Sequence, residues 1–160
     1  MMRLFIAVPI SREVKEQLIE CQQPIEGVRW EARNKLHLTL KFLGDTDPKQ
    51  AHLLGTKLNN IAQPAFSISI KGVGYFPEGQ HPKVLWAGIR QSKQLTRLKN
   101  SVEEVSVEMG FEPDSRPVKP HITLGRNKGA PKRDVMSFIN QHKQLRIPEV
   151  KVQQFGLYER

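Results

Sequence analysis

Cysteine is almost missing from this chain: among 160 residues only Cys21 carries a thiol, so no intrachain disulfide can form and a reducing cytoplasm suits the composition. Cys21 falls at helical spacing behind Val14 and Leu18 and reads as packing. Long apolar runs are missing too. The opening "MMRLFIAVPI" is too short for the apolar region of a secretion signal with its cleavage site, and far short of the roughly 20 residues of a membrane span. It reads as a first buried strand. Gly-rich phosphate loops are absent: "GVGYFPEG" and "GRNKGAPK" fail both nucleotide fingerprints, so nothing points to ATP. Three histidines, His52, His81 and His142, have no His or Cys partner at ligand spacing, so neither a metal nor another cofactor is expected. Acid is the minority charge. There are 16 Asp and Glu against 25 Lys and Arg, a net charge of +9. Such a surface attracts polyanions, nucleic acid above all, although a basic surface with no specific partner gives the same count.

What is present alternates between two periods. "SREVKEQLIECQQ" predicts a helix capped by Ser11, and "PIEGVRW" reads as a turn. "KLHLTLKFLG" alternates as a strand, with Leu36, Leu38, Leu40 and Phe42 on one face and His37, Thr39 and Lys41 on the other. Asp47 and Pro48 open a second helix. "AFSISIKGVGYF" and "KVLWAGI" predict a hairpin around the loop "PEGQHP". A third helix runs from Ser92 as cap to Gly110 as stop, burying Leu95, Leu98, Val102 and Val105. "RPVKPHITLGR" predicts a strand, "KRDVMSFINQHKQL" a helix and "EVKVQQFGLY" a last strand. Mixed helices and strands with a hairpin give an α+β fold.

One tetrapeptide pattern occurs twice: "HLTL" at 37–40 and "HITL" at 121–124. Just over half the chain separates the copies, and each leads into a helix and then another strand, as in an imperfect internal duplication. On a strand, side chains two apart point the same way, about 6.5–7 Å from each other. Each copy therefore presents an imidazole and a hydroxyl on one face, with Leu38 and Leu40, or Ile122 and Leu124, anchoring the other. A single such pair is usually an ordinary hydrogen-bonded polar pair. Two copies by chance have odds on the order of one in ten thousand at average residue usage.

If the halves face each other, two imidazoles and two hydroxyls share a cleft. Imidazole titrates near neutrality, so one can take a proton while the other gives one. Neutral hydroxyls suit the non-bridging oxygens of a phosphate. The set fits in-line attack at phosphorus with neither a metal nor a covalent intermediate. Arg116, Lys119, Arg126 and Lys128 cluster near the second copy, and Lys41 follows the first on its histidine's face. Strict alternation points Arg126 away from His121 and Thr123. Among aromatics able to stack a base, parity puts Phe42 in the core and leaves Tyr75 and Phe76 at the loop edge.

The paired His-x-Thr-x motifs, with "RLFIAVP", "LHLTLKFLG", "GYFPEGQHPKVLWAGI", "RPVKPHITLGR" and "FGLYER", resemble the two-histidine (2H) phosphoesterase superfamily. Within it the likeness is to the RNA 2′,3′-cyclic phosphodiesterases, also called 2′-5′ RNA ligases. The resemblance implies a bilobal LigT-like fold: two pseudo-symmetric lobes with antiparallel sheets flanked by helices around a central cleft. Residues 1–160 would then form one phosphodiesterase domain with one motif per lobe. It implies metal-free hydrolysis of RNA 2′,3′-cyclic phosphate ends to 2′-phosphates, and weak ATP-independent 2′-5′ joining. His37 and His121 match the catalytic histidines, Thr39 and Thr123 the phosphate-binding hydroxyls, and Arg126 an arginine after the second motif. The carried-over order makes His121 the base and His37 the acid. RNA is the implied partner of a cytoplasmic protein with no membrane contact, and a monomer is the default. Relatives continue past "LYE" by about one strand, so one sheet is expected to lack an edge strand. Two alternatives stay open: a non-catalytic module that grips RNA ends, and a phosphodiesterase for a small cyclic nucleotide.

Overall fold

The computed structural model describes residues 1–115 and 119–160. Eight strands and four helices appear among them. The chain begins with β1 (Met2–Pro9), α1 (Arg12–Glu20), β2 (Val28–Trp30) and, after a 3₁₀ turn at Arg33–Lys35, β3 (His37–Thr46). It continues through α2 (Pro48–Leu58), the hairpin β4 (Phe66–Phe76) and β5 (Val84–Ile89), and α3 (Lys93–Glu108). The remainder is β6 (His121–Asn127), α4 (Lys132–His142), β7 (Arg146–Val152) and β8 (Gly156–Glu159).

The helix starts follow from local chemistry. Ser11 Oγ accepts from the Val14 amide at 3.3 Å, Asp47 from the Lys49 amide at 2.7 Å, and Ser92 Oγ from the Leu95 amide at 3.1 Å. Each satisfies a backbone donor that a helix start leaves orphaned. Gly110, at φ +93°, adopts the left-handed conformation that ends α3. Of the stripes read from the sequence, α1 buries Val14 and Leu18 and α3 buries Leu95, Leu98 and Val102 with Val105 partly buried, while α2 buries Leu54 and Leu58.

All strand pairings are antiparallel, in the order β7-β4-β5-β6-β3-β1-β8, with β2 also pairing β6. The two motif strands sit side by side at the centre. They meet through one pair, Leu38 opposite Ile122, and on either side of it lie the two lobes. One hydrophobic cluster runs under both, from Ile6 and Leu18 to Phe138 and Val152.

Three differences from the sequence reading have physical causes. The "PIEGVRW" turn contains β2, three residues long and too short to reveal alternation. Gly125 makes room for it: a Cβ there would lie 2.7 Å from the Trp30 ring and 3.0 Å from the Arg29 carbonyl. The single last strand is two strands, on opposite edges of the sheet, because the exposed Gln153 and Gln154 break the alternation and the chain crosses from one lobe to the other.

The third difference concerns the faces of the motif strands. Ala7 pairs with Thr39 but Ile6 with Lys41, so Leu40 is an extra residue in β3. Likewise Trp86 pairs with Thr123 but Leu85 with Gly125, so Leu124 is extra in β6. Each motif ends in a β-bulge at its fourth residue, and a bulge reverses which face the following side chains take. Lys41 therefore turns inward, with 3% exposure, while Phe42 turns outward, with 59%. Both expectations, a basic rim at Lys41 and a core position for Phe42, are corrected by this one device.

Candidate active site

Antiparallel pairing about Leu38 and Ile122 sets His37 diagonally across from His121, with each imidazole beside the other strand's threonine. The four polar side chains are half-buried and line one cleft of about 940 Å³. Arg126 lines it as well. The parity objection to Arg126 fails because the bulge at Leu124 returns it to the face of His121 and Thr123. It occupies in β6 the place that Phe42 occupies in β3, and Phe42 also lines the cleft.

The two imidazoles are held differently. His121 Nδ1–H donates to the Lys119 carbonyl at 2.7 Å. A carbonyl can only accept, so in the neutral ring Nδ1 keeps the proton and Nε2 is left as the basic nitrogen. The ring also meets Phe76 edge to face, with centroids 4.9 Å apart. His37 stacks on Phe5 at 4.7 Å and makes no ring hydrogen bond among the described residues.

Both sit below the ordinary histidine value. For His37 burial is the main cause, with Lys15 and Arg160 adding to it and Glu31 opposing. For His121 burial again leads, opposed by the Lys119 hydrogen bond and reinforced by Lys99. Nearby cations thus add to burial in holding both imidazoles towards neutrality.

This has a consequence for stability. Neutral imidazole is favoured in the fold, so the unfolded chain binds more protons between its ordinary value of 6.5 and the lowered folded values. The stability is whole above 6.5 and is lost as pH falls through that window. The urea midpoint is expected to drop further between about pH 7.5 and about pH 5.5 in the wild type than in a His37→Asn/His121→Asn variant. Equal drops in the two proteins would reject it.

Of the other basic residues, Lys119 and Lys128 line the cleft, and Lys119 lies 5.8 Å over the Trp86 ring. Arg116 lies outside the described residues. Arg126 Nε sits 3.4 Å from Glu31 Oε1, an ion pair that fixes the guanidinium at the wall. Tyr75 packs against the core instead of the cleft, and Phe76 supports His121.

Sequence reasoning missed Phe5, Lys15, Arg29, Glu31, Tyr158 and Arg160, all of which line the cleft. They come from β1, α1, the β2 region and the chain end, and no local pattern marks them. Among the described residues no group of three or more His, Cys, Asp or Glu could hold a metal ion. Nor is any described helix long and apolar enough to cross a membrane.

A family model for LigT-like phosphoesterases matches residues 8–86 and 88–160. An RNA 2′,3′-cyclic phosphodiesterase of Archaeoglobus fulgidus is 32% identical over 159 residues, covering 98% of this chain and 89% of that protein. One of Escherichia coli K12 is 33% identical over 129 residues, covering 78% and 72%. The crystal structure of E. coli LigT complexed with 3′-AMP superposes with a TM-score of 0.77 at 29% identity, covering 99% of this chain and 87% of that one.

Proposed function

The chain belongs to the LigT-like phosphoesterase family, and from that premise we propose that it hydrolyses RNA 2′,3′-cyclic phosphate ends to 2′-phosphates. We further infer that residues 1–160 act as one bilobal phosphodiesterase domain with one motif in each lobe. The observation that carries the reading is the Leu38–Ile122 pairing, which turns two distant copies of one tetrapeptide into a single cleft of two imidazoles and two hydroxyls.

In this reading the cyclic phosphate lies between the motif strands. Thr39 and Thr123 donate hydroxyl hydrogens to its non-bridging oxygens, and the Arg126 guanidinium offsets the negative charge that builds up on them in the transition state. His121 Nε2 takes a proton from water as the water oxygen bonds to phosphorus. The bond from phosphorus to O3′ breaks, and His37, protonated, gives its proton to O3′. The phosphate stays on O2′. The assignment of base to His121 is supported by its Nδ1 hydrogen bond, which leaves Nε2 free to accept. With an RNA 5′-hydroxyl in place of water, the same steps join ends through a 2′-5′ linkage without ATP. Phe42, exposed on the cleft wall, is suited to stack the terminal base. We take the protein to act as a cytoplasmic monomer, in keeping with its lone thiol.

The decisive experiment incubates the protein, in EDTA, with an RNA ending in a 2′,3′-cyclic phosphate and resolves the product ends. A 2′-phosphate is expected. A 3′-phosphate would reverse the leaving group and exchange the roles of the histidines. Binding without turnover would replace the enzyme with an RNA-end-binding module.

A further inference from the structure

Beside the cleft lies a second, shallower cavity of about 470 Å³, lined by His81, Lys83 and Val84 on one side and by Arg126, Asn127, Lys128 and Gly129 on the other. Arg126 and Lys128 line both cavities, so the two are adjacent. The second is a built feature of the fold. Asn127 Nδ2 donates to the carbonyls of Pro82 and Ala130 at 2.9 and 3.0 Å, and its Oδ1 accepts from the amides of Gly129 and Ala130 at 3.1 and 2.7 Å. The Asn127 amide donates to the Lys83 carbonyl at 2.9 Å, and the Lys128 amide to the Gly27 carbonyl at 2.6 Å. One asparagine therefore locks two loops against each other and sets the backbones of Lys83 and Lys128 on either side of the gap.

The charge of this cavity is only partly compensated. Arg126 has Glu31, but among the described residues neither Lys83 nor Lys128 pairs with a carboxylate. Fixed backbones carrying cations without a carboxylate partner, beside the cleft that holds the two motifs, suit a second phosphate of the same molecule. The far end of the cleft differs in kind: exposed Phe42, with Arg160 5.9 Å over its ring, and Tyr158 stacked on Phe5. A polyanionic backbone leaving the reactive centre has a cationic path on the Arg126 side, while Lys15 and Arg160 stand with the aromatics at the other end.

We propose that this second cavity holds the phosphodiester immediately upstream of the cyclic end, so that the enzyme selects oligonucleotides over mononucleosides and runs the RNA from Lys83 past Arg126 to the histidines. The inference rests on the phosphodiesterase reading of the main cleft and names the substrate length that the cleft works on. It also separates RNA ends from the small cyclic nucleotides that the motifs alone admit.

The test compares kcat/KM for a mononucleoside 2′,3′-cyclic phosphate with that for a hexanucleotide ending in the same group, in the wild type, Lys83→Gln and Lys83→Glu. Lys83 lines only the second cavity. The wild type is expected to favour the hexanucleotide, and Lys83→Glu to reduce that preference by about 5–10-fold, the scale of reversing one exposed charge contact. Lys83→Gln should lie between. The mononucleoside should react equally in all three. For the hexanucleotide, the slope of log(kcat/KM) against log salt should flatten by about 0.7 in Lys83→Gln, as for one lost contact to a single strand. Hydrolysis of both probes with no length preference, or with a preference that Lys83→Glu leaves intact, overturns the subsite and spares the phosphodiesterase. If neither probe turns over, the phosphodiesterase reading fails by itself. Hexanucleotide binding then decides the subsite: weaker binding by Lys83→Glu supports it, and unchanged binding overturns it.

Discussion

Replacing either His37 or His121 with alanine is expected to lower kcat on an RNA 2′,3′-cyclic phosphate by ~10²–10⁴-fold, the usual contribution of a positioned proton donor or acceptor. The double variant should be little worse than the worse single one, because the two groups act on one transition state and such losses do not add. Both rings are half-buried rather than core residues, so the variants should keep the fold, as circular dichroism and the urea midpoint would verify. The pH profile separates the roles. In the wild type kcat/KM should be bell-shaped with its maximum below 6.5, because both imidazoles of the free protein sit under that value. The two limbs belong to the coupled pair and give macroscopic values. Bound phosphate favours the charged rings, so the kcat optimum should lie at higher pH than that of kcat/KM. His121→Ala should flatten the limb that rises with pH, and His37→Ala the limb that falls. Wild-type rates in either variant, or a flat profile in the wild type, would remove the proton-transfer mechanism.

The grouping of the four motif side chains was legible in the sequence because it rides on period two. His37 and Thr39, like His121 and Thr123, share a face through nothing more than strand geometry, and their apolar neighbours say which face is buried. The helices were legible for a similar reason, since Ser11, Asp47 and Ser92 cap them within a few residues. Whatever depended on a partner strand was not. Whether Leu40 and Leu124 are bulged is decided by how β1 and β5 pair with them, and neither tetrapeptide carries that information. The cost was three wrong faces: Phe42, Lys41 and Arg126. A trace of the device is visible afterwards. Aligning "HLTLKF" with "HITLGR" puts Phe42 opposite Arg126, each two residues past its bulge, so the same backbone irregularity delivers an aromatic to one wall of the cleft and a guanidinium to the other. Residues such as Phe5, Lys15, Glu31 and Arg160 had no signal at all, because long-range packing alone brings them to the cleft.

Lys41→Met is expected to destabilise the fold by about 2–3 kcal/mol, less than the roughly 3–5 kcal/mol of breaking a fully buried pair. Lys41 looks like a rim cation in the sequence, yet its side chain is 1% exposed. Its ammonium has three protons to donate and three acceptors to take them: Glu103, the Glu112 carbonyl at 2.9 Å and Asp114 Oδ1 at 3.1 Å. Glu103 in turn accepts from the Asp114 amide at 2.8 Å. Methionine fills a similar volume but leaves the carboxylates without their cation. The penalty is tempered because Glu103 and Asp114 remain 30% and 44% exposed and can be rehydrated. Acid provides an independent measure. Burial alone would raise the Glu103 carboxyl, but the hydrogen bonds from Lys41 and the Asp114 amide outweigh it and hold the group below its ordinary value of 4.5. The stability tied to that lowering is present above 4.5 and lost as pH falls through the folded value, so the wild type should weaken there more steeply than Lys41→Met. The strut joins the residue after one motif's bulge to the segment that leads into the other motif. Its loss should therefore also lower kcat, through the orientation of His121, by more than the fraction unfolded explains. Urea titrations that place Lys41→Met within about 0.5 kcal/mol of the wild type, the range of ordinary surface changes, would show that the buried ammonium holds nothing in place.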